Sequence, residues 1–364
     1  MVNMKIVRIG EPQVIMSNPE SRHNYFAWPT VARLQNGKIA VVASGYRLRH
    51  ACPFGKTVIS YSEDEGETYT APAPIFDTVL DDRDGGILPF GEKGVIVTSF
   101  NNVREFQRKY AETSYDTGYL DLITDEEEKE ALGASFRISN DCGVTFGEIH
   151  KSPITSPHGP IELHDGTLLW IGRTFNPKQT LEIENDFIQA YKINLDGTME
   201  FVGKIENITI DGIETLSCEP HSIVLEDGTI LTHIRVQNQD PKIFTIFQSE
   251  SHDNGKTWST PRQLLPLRDG APPHLFRHSS GMLICTYADR RAPHPIKAMF
   301  SKDNGQTWDY GYDIYVNKVV TWDFGYPSTI EMADGSLLTV FYTHMSDDGP
   351  AVIVQQRWKF EADK

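Results

Sequence analysis

The chain has 364 residues, of which 39% are hydrophobic and 23% charged, a balance typical of a folded soluble protein rather than a disordered one. Its formal net charge of -16 at pH 7 creates a negative field that repels nucleic acids and anionic membranes. We therefore predict neither as a partner, although arginines gathered in one place can still bind a small anion.

The amino-terminal segment MVNMKIVRIGEPQVIM has no long apolar stretch after its lysine, unlike a secretory signal peptide. No segment approaches the ~20 apolar residues that a membrane-spanning helix needs. The four cysteines stand alone, without a Cys-x-x-Cys pair for zinc or redox chemistry. The sequence thus predicts a cytoplasmic protein with free thiols and no cofactor.

One pattern then recurs six times along the chain: a proline, an apolar strand, a turn with glycine and a second apolar strand. The copies are PTVARLQNGKIAVV, PFGEKGVIVTSF, GPIELHDGTLLWIG, EPHSIVLEDGTILTHIR, PPHLFRHSSGMLICTY and YPSTIEMADGSLLTVFY, with turn glycines Gly37, Gly94, Gly166, Gly228, Gly281 and Gly335. Each copy predicts a β-hairpin.

A second repeat, the octet Ser-x-Asp-x-Gly-x-Thr-aromatic, begins at residues 62, 139, 251 and 301, and a degenerate copy covers 194–201. Its Asp can accept hydrogen bonds from the turn's own amides, its Gly permits a positive φ, and its aromatic ring can pack between sheets. We expect the octets to stabilise a second hairpin rather than to catalyse. Two hairpins in each unit of about 61 residues predict an all-β, six-bladed β-propeller, with four antiparallel strands per blade and one domain over residues 1–364.

One segment interrupts this period. Residues 103–132 add about twenty residues and end in an acidic, helix-favouring run. We interpret the segment as a partly helical insertion between strands of the second blade, packed over a face of the propeller, against another subunit, or into solvent. The oligomeric state cannot be predicted from it.

Together, the octets and the six units resemble the sialidase (neuraminidase) superfamily, whose members carry such Asp-box octets on a six-bladed propeller. The resemblance covers nearly the whole chain. It implies an exo-glycosidase with a tyrosine nucleophile and a glutamate partner, an aspartate acid/base, and three arginines that bind the substrate's carboxylate.

Three of these groups have matching positions here. DFGYPSTIEMADG supplies Tyr326 as the nucleophile, and CEPHSIVLEDGTILTHIR supplies Glu219 as its partner and Arg235 as a carboxylate-binding arginine. A phenol with an ordinary pKa of ~10 needs a base to become a good nucleophile, and Glu219 is placed to be that base.

The remaining arginines match less completely. YADRRAPHPIKAMFSKDNG supplies Arg290 and Arg291, of which we favour Arg291 slightly, and SGYRLRH supplies Arg47 as an auxiliary arginine. Ala27 stands where the family has its first carboxylate-binding arginine, and Tyr342-Thr343 stands where a Tyr-Glu pair supports that arginine. These paired departures indicate a changed pocket, which fits an acidic sugar other than ordinary sialic acid.

The segment after Arg47, LRHACPFGK, also lacks the expected acidic residue. Two candidates for the acid/base remain, Asp84 in DDRDGG and His50 in LRHAC. Burial could raise the pKa of Asp84 enough for it to protonate a leaving group. Alternatively, Asp84 only caps the turn that precedes two glycines.

Residues near the start of each innermost strand should converge at one end of the propeller axis. Besides the groups above, this predicts that Trp28, His158, His221 and His274 face a shared cavity. The histidines either donate hydrogen bonds to sugar hydroxyls or, as an alternative, hold a metal ion. Trp28 and Trp322 either form a platform for a sugar ring or fill the cavity wall.

The leading hypothesis is therefore a sialidase-type exo-glycosidase acting on a small acidic sugar or oligosaccharide. Two alternatives remain open: a carbohydrate-binding propeller without catalysis, and a metal-assisted hydrolase or lyase that uses the three histidines.

Overall fold

Six antiparallel sheets of four or five strands form a ring in the computed structural model, which describes residues 4–177 and 187–362. The predicted all-β, six-bladed propeller with four strands per blade is therefore confirmed. In blade three the innermost strand is divided into two short pieces, which both pair with the next strand.

The strands of the first half are, in chain order, β1 (Met4–Met16); in blade one β2 (Tyr25–Arg33), β3 (Ile39–Arg47), β4 (Lys56–Ser62) and β5 (Ala73–Phe76); in blade two β6 (Ile87–Phe90), β7 (Gly94–Phe100), β8 (Ala134–Ser139) and β9 (His150–Ser152); and in blade three β10 (Ile154–Thr155), β11 (Ile161–Glu162), β12 (Leu168–Thr174), β13 (Ile188–Ile193) and β14 (Met199–Ile205). Those of the second half are β15 (Thr209–Ile210) and β16 (Ile213–Glu214), which pair with each other; in blade four β17 (Leu216–Val224), β18 (Ile230–Asn238), β19 (Ile243–Ser251) and β20 (Arg262–Gln263); in blade five β21 (His274–Arg277), β22 (Leu283–Ala288), β23 (Pro295–Ser301) and β24 (Asp309–Val316); and in blade six β25 (Gly325–Glu331), β26 (Leu337–His344) and β27 (Ala351–Ala362).

The second strand of each blade forms the apolar centre of its sheet. In β7 every residue is buried, and β3 and β18 are buried over most of their length, because neighbouring blades cover both faces. Five of the six predicted turn glycines, Gly94 excepted, have a positive φ. Gly94 instead begins β7, and Gly91 supplies the positive φ of that turn.

The ring closes in blade six, which combines strands from both ends of the chain. Strand β1 pairs antiparallel with β27, outside β26 and the innermost β25. Trp358 of β27 is fully buried in a cluster with Met4 and with Phe300 of blade five. This pairing and packing hold the last blade to its neighbour.

The octets have the predicted structural role. In the third copy, the Ser251 hydroxyl accepts a hydrogen bond from the Gly255 amide (2.9 Å) and donates one to Asp253 Oδ1 (2.9 Å). The Asp253 carboxylate also accepts from the Thr257 amide (2.9 Å) and hydroxyl (2.7 Å). The same bonds recur in the other three copies, each between the third and fourth strands of its blade.

The insertion between β7 and β8 contains three helices, α1 (Arg104–Arg108), α2 (Ser114–Leu122) and α3 (Asp125–Ala131), as predicted. It packs on the loop that follows β3, where Arg49 pairs with Asp116 and the rings of Phe54 and Tyr119 lie 4.7 Å apart. Within the described ranges, no helix has the length and apolar character needed to cross a membrane.

Candidate active site

Four residues near the starts of innermost strands have a left-handed backbone. Trp28, Asp84, Glu219 and Tyr326 have φ angles of 53°, 48°, 47° and 52°. In blades one, four and six, register shifts accompany them in the pairing of the innermost strand with the second strand. Such a bulge redirects a side chain out of the alternating strand pattern, and positive φ in non-glycine residues is concentrated at functional sites. The left-handed residue recurs in four blades, three of them with a register shift, and indicates a functional site at that end of the channel.

A cavity of about 270 Å³ opens there, and all four bulge residues line it. The structure thus brings together the predicted Tyr326, Glu219 and Asp84. Two carboxylates share the cavity wall with four arginine side chains, so positive charge is concentrated here in a chain whose overall charge is negative. The four arginines are Arg83, Arg173, Arg235 and Arg290.

The centre of the site is a contact among Tyr326, Glu219 and Arg235. The Tyr326 hydroxyl donates a hydrogen bond to Glu219 Oε1 at 2.6 Å, and Arg235 Nη1 donates to Glu219 Oε2 at 2.5 Å and to the Tyr326 oxygen at 3.1 Å. Gln237 accepts from the other side of the Arg235 guanidinium and fixes its plane. Burial, followed by the nearby Glu219 charge, raises the pKa of Tyr326 well above its usual value. The phenol is therefore protonated, and its proton points at the carboxylate.

Asp84 is the second carboxyl group of the cavity. Its side chain is buried, and Oδ1 has no hydrogen-bond partner among the described residues. The Ser44 hydroxyl accepts a hydrogen bond from the Asp84 amide at 2.9 Å and holds the backbone of the bulge. Burial raises the pKa of Asp84 to about 7, against an opposing effect of Arg83. An acid with this pKa can both donate and accept a proton near neutral pH.

The structure places Arg290, rather than the favoured Arg291, in the cavity. Arg291 is half exposed and forms ion pairs with Asp289 (2.7 Å) and Asp269 (2.5 Å) outside it. Arg290 lines the cavity and has a buried Nε without a hydrogen-bond partner among the described residues. The preference for Arg291 as the arginine of this cavity was therefore wrong, because its ion pairs with Asp289 and Asp269 hold its side chain outside the cavity.

Arg47 was predicted to contact substrate, but it does not line the cavity. Its guanidinium is fully buried and forms a two-bond ion pair with Asp81, at 2.5 and 2.8 Å. Its guanidinium carbon lies 5.0 Å from the centre of the Trp28 ring, which lines the cavity. In this position Arg47 supports the cavity floor, and Ala27, also fully buried, offers no charge beside it.

Aromatic rings form one wall of the cavity: those of Trp28 and Trp322, for which a wall was one of the two predicted roles, and that of His50, a candidate acid/base. Trp28 is buried against the edge of His50, at 4.9 Å, whereas Trp322 is 63% exposed at the rim. His50 Nδ1 lies 2.8 Å from Asp323 Oδ1, which leaves Nε2 as the ring nitrogen available to a ligand. Burial lowers the pKa of His50, so this ring is neutral near pH 7.

The three axial histidines, predicted to face this cavity, lie elsewhere. His158, His221 and His274 pack together deeper in the channel, with ring centres 4.3 to 5.1 Å apart, and line a separate cavity. Leu275 and Thr329 amides donate to Nδ1 of His221 and His274, at 2.8 and 3.3 Å. The prediction that these three histidines line the same cavity as Tyr326 was therefore wrong.

These rings also do not form the metal centre considered as an alternative. No group of three or more His, Cys, Asp or Glu side chains in the described parts of the chain is arranged to hold a metal ion. The His221 and His274 rings stack face to face, 14° from parallel, instead of converging on a common point. Burial lowers the pKa of all three rings, in keeping with neutral, packed side chains.

Two cavity arginines were missed by the sequence analysis. Arg83 precedes Asp84 and lies over the Trp28 ring, 4.4 Å from its centre. Arg173 lies near the end of β12, a position equivalent to that of Arg235 in β18. Arg235 was identified as an arginine late in the second strand of its blade. The same rule applied to blade three would have identified Arg173.

Comparison with known proteins agrees with this architecture. Residues 119–339 match the family model described as a BNR repeat-like domain. No match was found among curated protein sequences.

Among solved structures, the chain is similar to a protein of unknown function from Dyadobacter fermentans, with 17% identity, a TM-score of 0.75 and 99% of each chain covered. It is also similar to the Trypanosoma rangeli sialidase, with 15% identity and a TM-score of 0.62, over 98% of this chain and 60% of that one. The intramolecular trans-sialidase from Ruminococcus gnavus has 13% identity and a TM-score of 0.62, over 96% and 97% of the two chains. At these identities the solved structures show a shared fold, the sialidase-type propeller. Because the family model matches more than half of the length of this chain, the chain belongs to the BNR repeat-like family.

Proposed function

We propose that the protein is an exo-glycosidase of sialidase type that releases a small acidic sugar from a glycoside or oligosaccharide. The observation that carries this proposal is the 2.6 Å hydrogen bond from the Tyr326 hydroxyl to Glu219, together with the Arg235 contact to both groups. A buried phenol hydrogen-bonded to a carboxylate, with its backbone held at a positive φ, is an activated nucleophile in position.

The first step is attack of Tyr326 Oη on the anomeric carbon. Glu219 takes the phenol proton as the new C–O bond forms, and the glycosidic C–O bond breaks. Asp84 gives its proton to the departing oxygen, so no alkoxide has to leave. A phenol suits this role because it carries less negative charge than a carboxylate toward an anomeric carbon that already bears an anionic group, which is why sialidases depart from the two-carboxylate scheme of other glycosidases.

In the second step water replaces the tyrosine. Asp84, now a carboxylate, takes a proton from water as the water oxygen attacks the anomeric carbon. The bond to Tyr326 breaks, and Glu219 returns the proton to the phenolate. A pKa of about 7 suits Asp84 for both directions of transfer.

The arginines favour an anionic sugar. Arg290 lines the cavity without an ion-pair partner among the described residues and can bind a carboxylate, Arg235 lines the same cavity, and Arg83 adds a positive charge over the Trp28 ring. Ala27 leaves the usual first arginine position without charge, so the acidic group is bound from a different side than in sialidases. We therefore expect uronic or other ulosonic sugars to be better substrates than ordinary sialosides.

A panel of fluorogenic glycosides of acidic sugars tests this proposal. We expect turnover of at least one member and its loss in Tyr326→Phe, whereas Tyr287→Phe, which removes a buried hydroxyl outside the cavity, should retain it. Full activity in Tyr326→Phe would refute the nucleophile. Efficient turnover of ordinary sialosides would refute the changed pocket.

A second candidate function is carbohydrate binding without catalysis. It is favoured by Ala27 and by the segment after Arg47, which carries no carboxylate where the family has its acid/base. Binding of an acidic sugar with no released product after prolonged incubation would support this function, and any Tyr326-dependent product would exclude it.

A further inference from the structure

A second cavity, of about 420 Å³, adjoins the candidate active site over blades four and five. Arg235, Gln237, Arg290 and Trp322 line both cavities and form their common wall. A ligand bound at Tyr326 can therefore extend past this wall without leaving the propeller face. The exposed Trp322 ring lies at the junction, where it can cover one face of a bridging sugar.

The lining of the second cavity is strongly basic. Its five cationic side chains come from Arg235, Lys242, Arg268, Arg290 and Arg291, and none of the lining residues in the described parts of the chain is acidic. In a chain with a net charge of -16, such a local excess of positive charge is contrary to the overall composition. Clustered cations of this kind raise the local concentration of anions.

These cations differ in whether they are already neutralised. Arg291 is paired with Asp269 and Asp289, and Arg235 is paired with Glu219. For Lys242, Arg268 and Arg290, the described residues supply no ion-pair partner within 4.0 Å. The guanidinium carbons of Arg235 and Arg290 lie 4.8 and 5.0 Å from the centre of the Phe244 ring, a contact that positions Arg290 without neutralising its charge.

We propose that this cavity is a second anion subsite, which binds a carboxylate, sulfate or phosphate on the part of the substrate that extends past the common wall of the two cavities. The inference rests on the proposed glycosidase function, because the candidate active site then holds the sugar that is released. Its substrate is consequently an oligosaccharide with at least two acidic groups, one in each cavity.

Equilibrium binding of small sugars to the intact protein, measured by calorimetry, tests the subsite. The probes are galacturonic acid, galactose 6-sulfate, galactose 6-phosphate and neutral galactose. The test variant is Lys242→Gln/Arg268→Gln, since neither residue lines the candidate active site. The matched control is Lys256→Gln/Lys302→Gln, which removes the same charge from two exposed octet positions in blades four and five.

We expect the anionic probes to bind the natural protein at least tenfold more tightly than galactose. The test variant should lose about tenfold of that affinity and the control less than twofold. A preference for galacturonic acid would identify a following acidic sugar as the source of the anion, and a preference for the esters would identify a sulfated or phosphorylated sugar. Equal losses in both variants, no loss in the test variant, or binding of galactose as tight as that of the anions would overturn the subsite.

These results are separate from those for the proposed reaction. Anion binding that depends on Lys242 and Arg268 is measured without turnover and should persist in Tyr326→Phe. If Tyr326→Phe keeps full activity while that binding persists, the reaction is refuted and the anion site stands. If Tyr326→Phe is inactive and the Lys242→Gln/Arg268→Gln variant binds anions normally, the reaction stands and the subsite is refuted.

Discussion

Replacing Asp84 with Asn should make the protein more stable at alkaline pH and less active. Burial raises the pKa of this carboxyl from 3.8 to about 7, so the folded state holds the proton more tightly than the unfolded chain. For a pKa raised on folding, the stabilising contribution is complete below the unfolded value, is lost as the pH rises, and is gone above the folded value. Ionised Asp84 therefore costs the folded protein stability above pH 7.

The size of this loss of stability follows from the pH interval over which Asp84 ionises. Between about pH 5 and the folded pKa of about 7, the loss is about 3 kcal/mol, since each pKa unit corresponds to 1.36 kcal/mol. An Asn side chain of the same shape does not ionise and keeps that stability. In the same variant, loss of the acid should lower kcat by about 100-fold or more.

Urea unfolding of both proteins at about pH 5 and about pH 9 measures this difference. The wild-type free energy of unfolding should fall by 1 to 3 kcal/mol more than that of Asp84→Asn, because the titrating groups that do not interact with Asp84 contribute equally to both proteins. A difference between the two proteins that does not change with pH would refute the assigned pKa. A stability gain at alkaline pH with normal turnover would show that Asp84 is buried but not the acid.

Three further predictions concern the arginines and the octets. In steady-state kinetics, Arg290→Gln should lower kcat/KM for an acidic substrate by about tenfold or more, whereas Arg291→Gln should change it by less than about threefold. Equal effects of the two substitutions would contradict the different placement of the two arginines. Asp81→Asn should cost about 3 to 5 kcal/mol in urea unfolding because it leaves the Arg47 charge buried and unpaired, and a loss below about 1 kcal/mol would argue against that ion pair. Asp253→Ala should cost about 1 to 2 kcal/mol and leave kcat unchanged, so a specific loss of turnover would contradict a purely structural octet.

The architecture could be predicted because it is repeated. Six glycine turns and four octets report the same local geometry several times, and a single blade cannot bury both faces of its sheet. The same periodicity placed Tyr326 and Glu219 at equivalent positions in different blades, and the structure brings them to 2.6 Å. Repetition thus specified which residues approach the axis.

Repetition did not specify how deep a side chain lies or what it contacts there. His221 follows Glu219 by only two residues, yet it lies below the bulge, where the His274 ring stacks on it. Arg47 has the sequence position of a cavity arginine, but Asp81, in the connection between blades one and two, neutralises it outside the cavity. Both outcomes depend on pairwise contacts between side chains distant in the sequence, which periodicity does not encode.

The left-handed bulge also has a consequence for how such a site can diversify. At each bulge the backbone, not the side chain, sets the direction toward the axis, and the ladder of the sheet resumes within a few residues on either side. One side chain per blade can therefore be exchanged while the hydrogen bonds of its sheet remain intact. A propeller of this kind could acquire a different ligand preference through a few separate substitutions, each confined to its own blade.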